Sequence, residues 1–190
     1  ADAHYNLGVL LKELGKLQDA EDSYRKAIQI KPNFAEAHSN LGVLLKELGK
    51  LQDAELSYRK AIEIKPDYAE AHYNLGNLLK ELGKLQDAEL SYRKAIEIKP
   101  DYADAHYNLG VLLRDVGKLK EAELSYRKAI EIKSDYADAH YNLGNILKAL
   151  GQIDESILNY DRSLTIKPNM PEALVGLGKS LLIKGQYIKG

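Results

Sequence analysis

The chain has 190 residues, and its 27 Lys and Arg against 28 Asp and Glu give a formal net charge of −1 at pH 7. No block of like charge occurs, which excludes the broad basic surface typical of nucleic-acid-binding proteins. The absence of cysteine excludes a disulfide framework and thiolate chemistry, and it favours a reducing, cytoplasmic location. No apolar run is long enough for a membrane span or a signal peptide, so we expect no membrane partner.

The sequence repeats every 34 residues from its first residue onward. Residues 35–68 and 69–102 are identical except that Ser39 and Val43 correspond to Tyr73 and Asn77. Full repeats occupy residues 1–34, 35–68, 69–102, 103–136 and 137–170, and residues 171–190 begin a sixth repeat. A repeat this short cannot bury an apolar face alone, so we predict one continuous array, residues 1–190, in which neighbouring repeats stack. We also expect the chain to be either a piece of a longer protein or a sequence trimmed on purpose, because it opens without Met and stops within a repeat.

The first half of each repeat is predicted to be an amphipathic helix. In residues 69–82 the large residues at helical spacing are His72, Leu75, Leu79 and Leu82. Asp67 and Glu70 have the spacing of a capping box, which would satisfy the first backbone N–H groups of this helix. Gly83 follows the last large residue and is placed to end the helix in a left-handed turn.

The second half of each repeat is predicted to be another helix, residues 85–98 in the third repeat. Pro100 ends it, because proline has no backbone N–H and restricts the residue before it. The small residues Gly76, Ala88 and Ala95 would let the two helices of a repeat approach closely. In the sixth repeat the second helix would begin only at Tyr187. The prediction for the whole chain is all-α, with no strands.

This pattern resembles the tetratricopeptide repeat family over essentially the whole chain. In the third repeat the positions that carry the resemblance hold His72, Leu75, Gly76, Leu79, Gly83, Ala88, Tyr92, Ala95 and Pro100. The resemblance implies a right-handed superhelical solenoid of helix-turn-helix repeats, in which the first helices line a concave groove and the second helices form a convex wall. Departures from the family pattern, expected to disturb packing only locally, are His at position 4, Ser134 in place of Pro, and Ser156 and Ser163 in place of Ala.

The side of the first helix that faces away from the helix pair carries ladders of identical residue types. Position 6 is Asn in every full repeat, position 5 is Tyr in all but the second, and position 12 is Lys or Arg. The side chains that we predict to contact a polypeptide are Asn6, Asn40, Asn74, Asn108, Asn142, Tyr5, Tyr73, Tyr107, Tyr141, Lys46, Lys80 and Arg114.

The asparagine ladder is the sharpest functional signal, because asparagine is a mediocre helix former and its repetition within a helix needs a reason. A carboxamide offers a donor and an acceptor that match the N–H and C=O groups of an extended peptide. The alternative is that duplication copied the asparagines passively and that they bond between neighbouring helices. The ladder is similar to that of the superhelical tetratricopeptide region of O-linked N-acetylglucosamine transferases and their bacterial relatives, where groove asparagines hold acceptor polypeptide.

A second arrangement of the family, the carboxylate clamp of heat-shock chaperone adaptors, does not fit this sequence. That clamp uses Lys at position 5 of one repeat, then Lys at position 2 and Arg at position 6 of a later repeat. Here position 5 is never Lys, position 2 is acidic in every full repeat, and position 6 is never Arg.

The histidines have a structural interpretation rather than a metal-binding one. They are His4, His38, His72, His106 and His140, one at the large position 4 of each full repeat. Zinc needs ligands about 2 Å from one ion, whereas packed helices lie at least ~8–10 Å apart. We expect half-buried rings that bond to nearby backbone, no metal, no cofactor and no catalytic constellation, so the chain is predicted not to be an enzyme.

Leucines on the second helices supply the competing hypothesis. Leu56, Leu90, Leu124 and Leu158 are predicted to point away from the core. One interpretation is that the aliphatic parts of neighbouring arginine side chains cover these leucines. The other is a self-assembling scaffold that stacks through these leucines or through the array ends. A further alternative is the substrate-recruiting arm of a transferase whose catalytic domain is absent from this sequence. The main prediction is a protein–protein interaction module that binds an extended polypeptide in its groove.

Overall fold

A computed structural model describes residues 1–188 of the chain. Within this range there are eleven helices and no strand. The helices are α1 (Asp2–Glu13), α2 (Leu17–Ile30), α3 (Ala35–Glu47), α4 (Leu51–Ile64), α5 (Ala69–Glu81), α6 (Leu85–Ile98), α7 (Ala103–Asp115), α8 (Leu119–Ile132), α9 (Ala137–Ala149), α10 (Ile153–Ile166) and α11 (Pro171–Ile188). The predicted all-α solenoid of helix-turn-helix repeats is confirmed.

The chain forms two compact units, Ala1–Pro100 and Asp101–Gly190. In the first unit each helix from α1 to α6 packs on its neighbours in sequence within the unit, and the odd-numbered helices α1, α3 and α5 also touch in series. In the second unit α7 to α11 pack in the same serial way, and α9 also contacts α7 and α11. The odd-numbered helices of each unit therefore present one shared surface, which we call the first-helix face.

The turn between the two helices of a repeat depends on a glycine with positive φ. Gly83 has φ +74°, and the equivalent glycines of the other full repeats have values between +72° and +80°. The N–H of Gly83 donates to the carbonyl of Lys80 at 3.1 Å, and the N–H of Lys84 donates to that of Leu79 at 2.8 Å. These bonds satisfy carbonyls that the helix end leaves open, and the left-handed turn predicted at Gly83 is confirmed.

The two helices of a repeat pack through a glycine against a tyrosine ring. A Cβ atom added to Gly76 would lie 2.8 Å from the Tyr92 ring, closer than real Cβ atoms approach. Tyr92, Ala88 and Ala95 are all completely buried. The close approach predicted from the small residues is therefore confirmed, because only the missing side chain of Gly76 makes room for the ring.

The predicted capping box at the start of the third repeat is wrong. Helix α5 has Tyr68 as its N-cap residue, and no side chain bonds to the free N–H groups there. Asp67 lies one residue too early in the chain to cap this helix. Glu70 pairs instead with Lys99 at 3.3 Å, across to the end of α6.

The departures from the family pattern are accommodated locally. Helix α8 ends at Ile132 although Ser134 replaces proline, and Lys133 adopts an extended conformation there. In α10 the buried hydroxyls of Ser156 and Ser163 both find partners. Ser156 bonds to Ser180 of α11 at 3.0 Å, and Ser163 donates to the carbonyl of Ala137 at 2.9 Å.

The predicted turn in the sixth repeat is not seen in the part of the chain that the structure describes. Helix α11 runs from Pro171 through Gly185 to Ile188 without interruption, and Gly185 does not adopt the positive φ of its equivalents. The expected second helix from Tyr187 is replaced, as far as Ile188, by the continuation of α11. Lys189 and Gly190 lie outside the described residues.

The outer surfaces of the second helices carry exposed leucines. Leu56, Leu90, Leu124 and Leu158 are each 66–67% exposed, so the expectation that they point away from the core is confirmed. Leu14 on the first repeat and Leu182 on α11 are also exposed, at 61% and 70%. None of the helices described, up to Ile188, combines the length and apolar character needed to cross a bilayer.

Candidate functional site

The predicted ligand-binding residues lie on the odd-numbered helices and are mostly half-exposed. Asn6 is exposed, and Asn40, Asn74 and Asn108 are intermediate. Asn142 differs, because only 5% of it is accessible. The tyrosines of position 5 and the basic residues of position 12 are intermediate throughout: Tyr5, Tyr73, Tyr107, Tyr141, Lys46, Lys80 and Arg114.

In the first unit the asparagine of the second repeat bonds to the tyrosine of the first repeat. The carboxamide nitrogen of Asn40 donates to the hydroxyl of Tyr5 at 3.0 Å. The Tyr5 ring also packs on Phe34, with ring centroids 5.0 Å apart. The Asn40–Tyr5 bond therefore joins α3 to α1 across the first-helix face, as the alternative interpretation of the ladder expects.

In the second unit the same bond recurs with an arginine added. Asn142 donates to the Tyr107 hydroxyl at 3.1 Å, and its carbonyl accepts from Arg114 at 3.0 Å. Two nitrogens of the Arg114 guanidinium also donate to Oδ1 of Asp115, and the shorter of the two distances is 2.7 Å. Because both ends of the Asn142 carboxamide are bonded and the residue is buried, Asn142 holds α7 and α9 together. Asn108 also has an interaction within the chain.

Burial and these bonds shift the pKa values of the same groups. Burial raises the pKa of Tyr107, the Asp138 carboxylate adds to the rise, and the bond from Asn142 partly offsets it. Burial alone would lower the pKa of Arg114, but the bonds to Asp115 outweigh burial and raise it. Both groups therefore keep their protons at neutral pH, so Tyr107 stays a neutral acceptor and Arg114 a cation.

The cation ladder is matched by carboxylates of the following repeat. Lys12 pairs with Glu47 at 3.6 Å, and Lys46 pairs with Glu81 at 3.1 Å. All four side chains are 30–49% exposed. Such half-exposed pairs contribute little to stability, but they cancel most of the charge that the lysines would otherwise present to a ligand.

Sequence reasoning missed the contribution of the second-helix tyrosines at position 24. The hydroxyl of Tyr92 donates to Asn77 at 2.8 Å, and that of Tyr160 donates to Asn145 at 2.7 Å. The acceptors occupy position 9 of the first helix, which is Asn in the third and fifth repeats and Val in the other full repeats. The change between Asn and Val at position 9 was the sequence signal for these hydrogen bonds. Its meaning depends on whether the hydroxyl of the position-24 tyrosine reaches the side chain at position 9.

The histidines take the structural role that was expected. The Nε2 atom of His38 lies 3.0 Å from the carbonyl of Pro32, and the equivalent distances are 2.9 Å for His72 to Pro66 and 3.2 Å for His140 to Ser134. Each ring thus bridges to the loop before its own helix. Among residues 1–188 no group of three or more His, Asp or Glu side chains is placed to hold a metal ion.

Comparison with solved structures shows the same fold. MamA is 28% identical, with a TM-score of 0.79, and the match covers 85% of this chain and 94% of that chain. PilF of Pseudomonas aeruginosa is 21% identical, with a TM-score of 0.86 over 97% of this chain and 84% of that one. YrrB, described as a tetratricopeptide repeat protein with an unusual peptide-binding site, is 24% identical, with a TM-score of 0.76 over 90% and 88% of the two chains. A search of curated proteins gave no significant match.

Sequence profiles identify the repeat directly. The profile described as TPR repeat matches residues 44–83, 76–115 and 112–151. Two profiles described as tetratricopeptide repeat match residues 1–34 and 137–170, and residues 23–55. Together with the helix pairs, the positive-φ glycines and the glycine–tyrosine packing, these matches show that the chain belongs to the tetratricopeptide repeat family.

Proposed function

We propose that this chain is a non-catalytic protein-interaction module whose first-helix face binds an extended polypeptide. Tetratricopeptide repeats generally mediate contacts between proteins, and stacked repeats present long surfaces for this purpose. The observation that supports a peptide ligand is the half-exposed carboxamide of position 6, present as Asn40 and Asn74 on α3 and α5 of the first unit and, separately, as Asn108 on α7 of the second unit. Asn142 is left out of the binding role, because it is buried and bonded at both ends.

The chemistry of the face favours the backbone of the ligand over its charged side chains. A carboxamide pairs with a peptide unit through one donor and one acceptor. The neighbouring lysines Lys12 and Lys46 are already paired with Glu47 and Glu81, so no strong net charge faces the ligand. Binding of this kind would tolerate different sequences and would depend only weakly on salt.

The test is a triple replacement of Asn40, Asn74 and Asn108 by alanine. The probe is an array of immobilised 12-residue peptides of random sequence, and we expect the wild-type chain to bind some of them. The triple variant should bind these peptides at least ~10-fold more weakly, because the loss of roughly one or two hydrogen bonds has an effect of this size. Far-UV circular dichroism should be almost unchanged, because alanine is the better helix former.

The matched control removes carboxamides elsewhere. Gln18, Gln52 and Gln86 are exposed and lie on the second helices α2, α4 and α6. Replacing these three by alanine should leave peptide binding unchanged. Equal affinities for the wild type and the asparagine triple variant would contradict the proposal.

A self-assembling scaffold is the second candidate, supported by the exposed leucines of the second helices. Leu56 and Leu90, each two-thirds exposed, lie on the outer surfaces of α4 and α6. Light scattering over a concentration series checks this candidate. A molecular mass that rises with concentration in the wild type but not in the L56S/L90S variant would support it, and a constant monomer mass would exclude it.

A further inference from the structure

The junction between the second and third repeats departs from the bonding seen elsewhere on the first-helix face. Asn40 and Asn142 each donate to a tyrosine hydroxyl of the preceding repeat, at 3.0 and 3.1 Å. The residue that would supply this hydroxyl to Asn74 is Ser39. Ser39 is only 2% exposed, and its side chain partly offsets the rise in the pKa of Tyr68 that burial causes.

As a result Asn74 keeps its hydrogen-bonding capacity. Its side chain is half-exposed, and it forms no hydrogen bond with any residue in the described range 1–188. A serine side chain ends several bonds short of the position that a tyrosine hydroxyl reaches, so Ser39 cannot replace the missing partner. The sequence difference at residue 39 thus leaves one ladder carboxamide with both its donor and its acceptor available.

Lys46 and Glu81, paired at 3.1 Å, span the same two repeats and leave the junction around Asn74 without strong net charge.

We infer that Asn74 binds one peptide unit of an extended polypeptide, and that Ser39 is the residue that leaves Asn74 free to do so. The carboxamide of Asn74 accepts from a ligand N–H and donates to a ligand carbonyl. Asn40 and Asn142, whose carboxamides are bonded within the chain, serve to join helices. This inference rests on the proposed function and narrows it to one junction.

The experiment compares single variants of the full chain, with a fluorescein-labelled peptide selected from the 12-residue random array as the probe. N74A should weaken binding about tenfold, the change expected when one or two hydrogen bonds are lost. S39Y restores the residue found in the other full repeats, and it should weaken binding to a similar extent by bonding to Asn74. Q52A, which removes an exposed carboxamide from the second helix α4, is the matched control and should leave affinity unchanged. N40A should weaken binding less than N74A does, since Asn40 is already bonded to Tyr5.

The outcomes separate the two proposals. Failure of the wild type to bind any peptide of the array would overturn the proposed function and this inference with it. Binding by the wild type with equal losses in N74A and N40A would overturn the inference alone, because the ladder would then act uniformly. Wild-type affinity in a folded S39Y variant would also overturn it.

A measurement without ligand checks the bonding itself, whatever the binding result. The side-chain NH2 protons of Asn74 should exchange with water faster than those of Asn40 by NMR, because only the latter are bonded to a tyrosine. In S39Y the exchange of the Asn74 protons should slow to the rate of Asn40. Equal rates for the two asparagines in the wild type would contradict the role assigned to Ser39.

Discussion

At the residue scale, equivalent positions of this array have the same side chain but different bonding. Tyr92 and Tyr126 are both completely buried at position 24. The Tyr92 hydroxyl donates to Asn77 at 2.8 Å, whereas the Tyr126 hydroxyl is buried and has no partner in the described part of the chain. The difference arises from position 9, where the fourth repeat has Val111 in place of asparagine.

This contrast predicts opposite effects for the same substitution. Tyr92→Phe should lower the free energy of unfolding by about 1 kcal/mol, because it removes a hydrogen bond. Tyr126→Phe should leave it unchanged or raise it, because it removes an unpaired buried hydroxyl while keeping the ring. Urea unfolding of the two variants, followed by circular dichroism, measures both effects. Equal destabilisation would show that the Tyr126 hydroxyl is bonded after all, for instance to water.

At the element scale, α11 docks on α10 partly through polar groups. Ser156 and Ser180 are both completely buried, and their hydroxyls lie 3.0 Å apart. The hydrogen bond between the two hydroxyls offsets the free-energy cost of burying them. Ser156 stands where the family has alanine, so this pair replaces the usual apolar contact at the helix interface.

The pair predicts strong coupling in a double-mutant cycle. Ser156→Ala alone should destabilise the chain by about 1–3 kcal/mol, because it leaves the Ser180 hydroxyl buried without a partner. The S156A/S180A double variant should recover most of that loss, since both hydroxyls are then absent. Thermal unfolding of the two single variants and the double variant measures the coupling. Simple addition of the two single losses would exclude the bond as a source of stability.

At the scale of the whole molecule, two sets of groups set the pH range in which the array is stable. Glu21 is almost buried; burial alone would raise its pKa, but its bonds to Lys50 and Arg25 outweigh burial and lower it. Bonds to Lys84 and Arg127 likewise lower the pKa values of Glu55 and Glu155. At the other end, burial raises the pKa values of Tyr24 and Tyr160 to about 12, and it raises those of Tyr58, Tyr92 and Tyr126 as well.

The signs of these pKa shifts predict that stability is constant over a middle range of pH and falls at both lower and higher pH. Glutamates with lowered native pKa values contribute stability that is complete above the unfolded pKa of about 4.3 and is lost as pH falls through the native values. Tyrosines with raised native pKa values contribute stability that is complete below about pH 10 and is lost as pH rises towards their native values. Thermal midpoints measured from pH 3 to pH 12 should be level across this middle range. A midpoint that fell steadily across the neutral range would contradict this assignment.

The fold of this protein was predictable from the sequence because the same pattern of helix, glycine turn and helix recurs in every full repeat. Gly83 had to end a helix, since a residue with positive φ is needed there and glycine adopts it at no cost, and the structure has φ +74° at that residue. Gly76 had to face a large neighbour, and it faces the Tyr92 ring. The capping box at Asp67 and Glu70 failed because the helix begins one residue later than that pattern requires.

The candidate binding residues were predictable as a surface but not as individual partners. Helical periodicity placed Asn40, Asn74 and Asn142 on the same side of successive helices, because position 6 recurs at the same rotation in each repeat. Which of these carboxamides is already bonded depends on the distance between a first helix and the one before it, and on whether residue 5 of that earlier helix reaches across. Tyr5 and Tyr107 reach; Ser39 does not.

The sequence by itself therefore determined the helix pairs, their turns and the face on which the ladders lie, because each follows from local backbone preferences repeated every 34 residues. Only the tertiary structure decided that Asn142 is buried and that Asn74 is not bonded within the chain. The physical reason is that a hydrogen bond between repeats needs two side chains to meet within about 3 Å. That distance is set by how whole helices stack, and no local pattern of residues contains it.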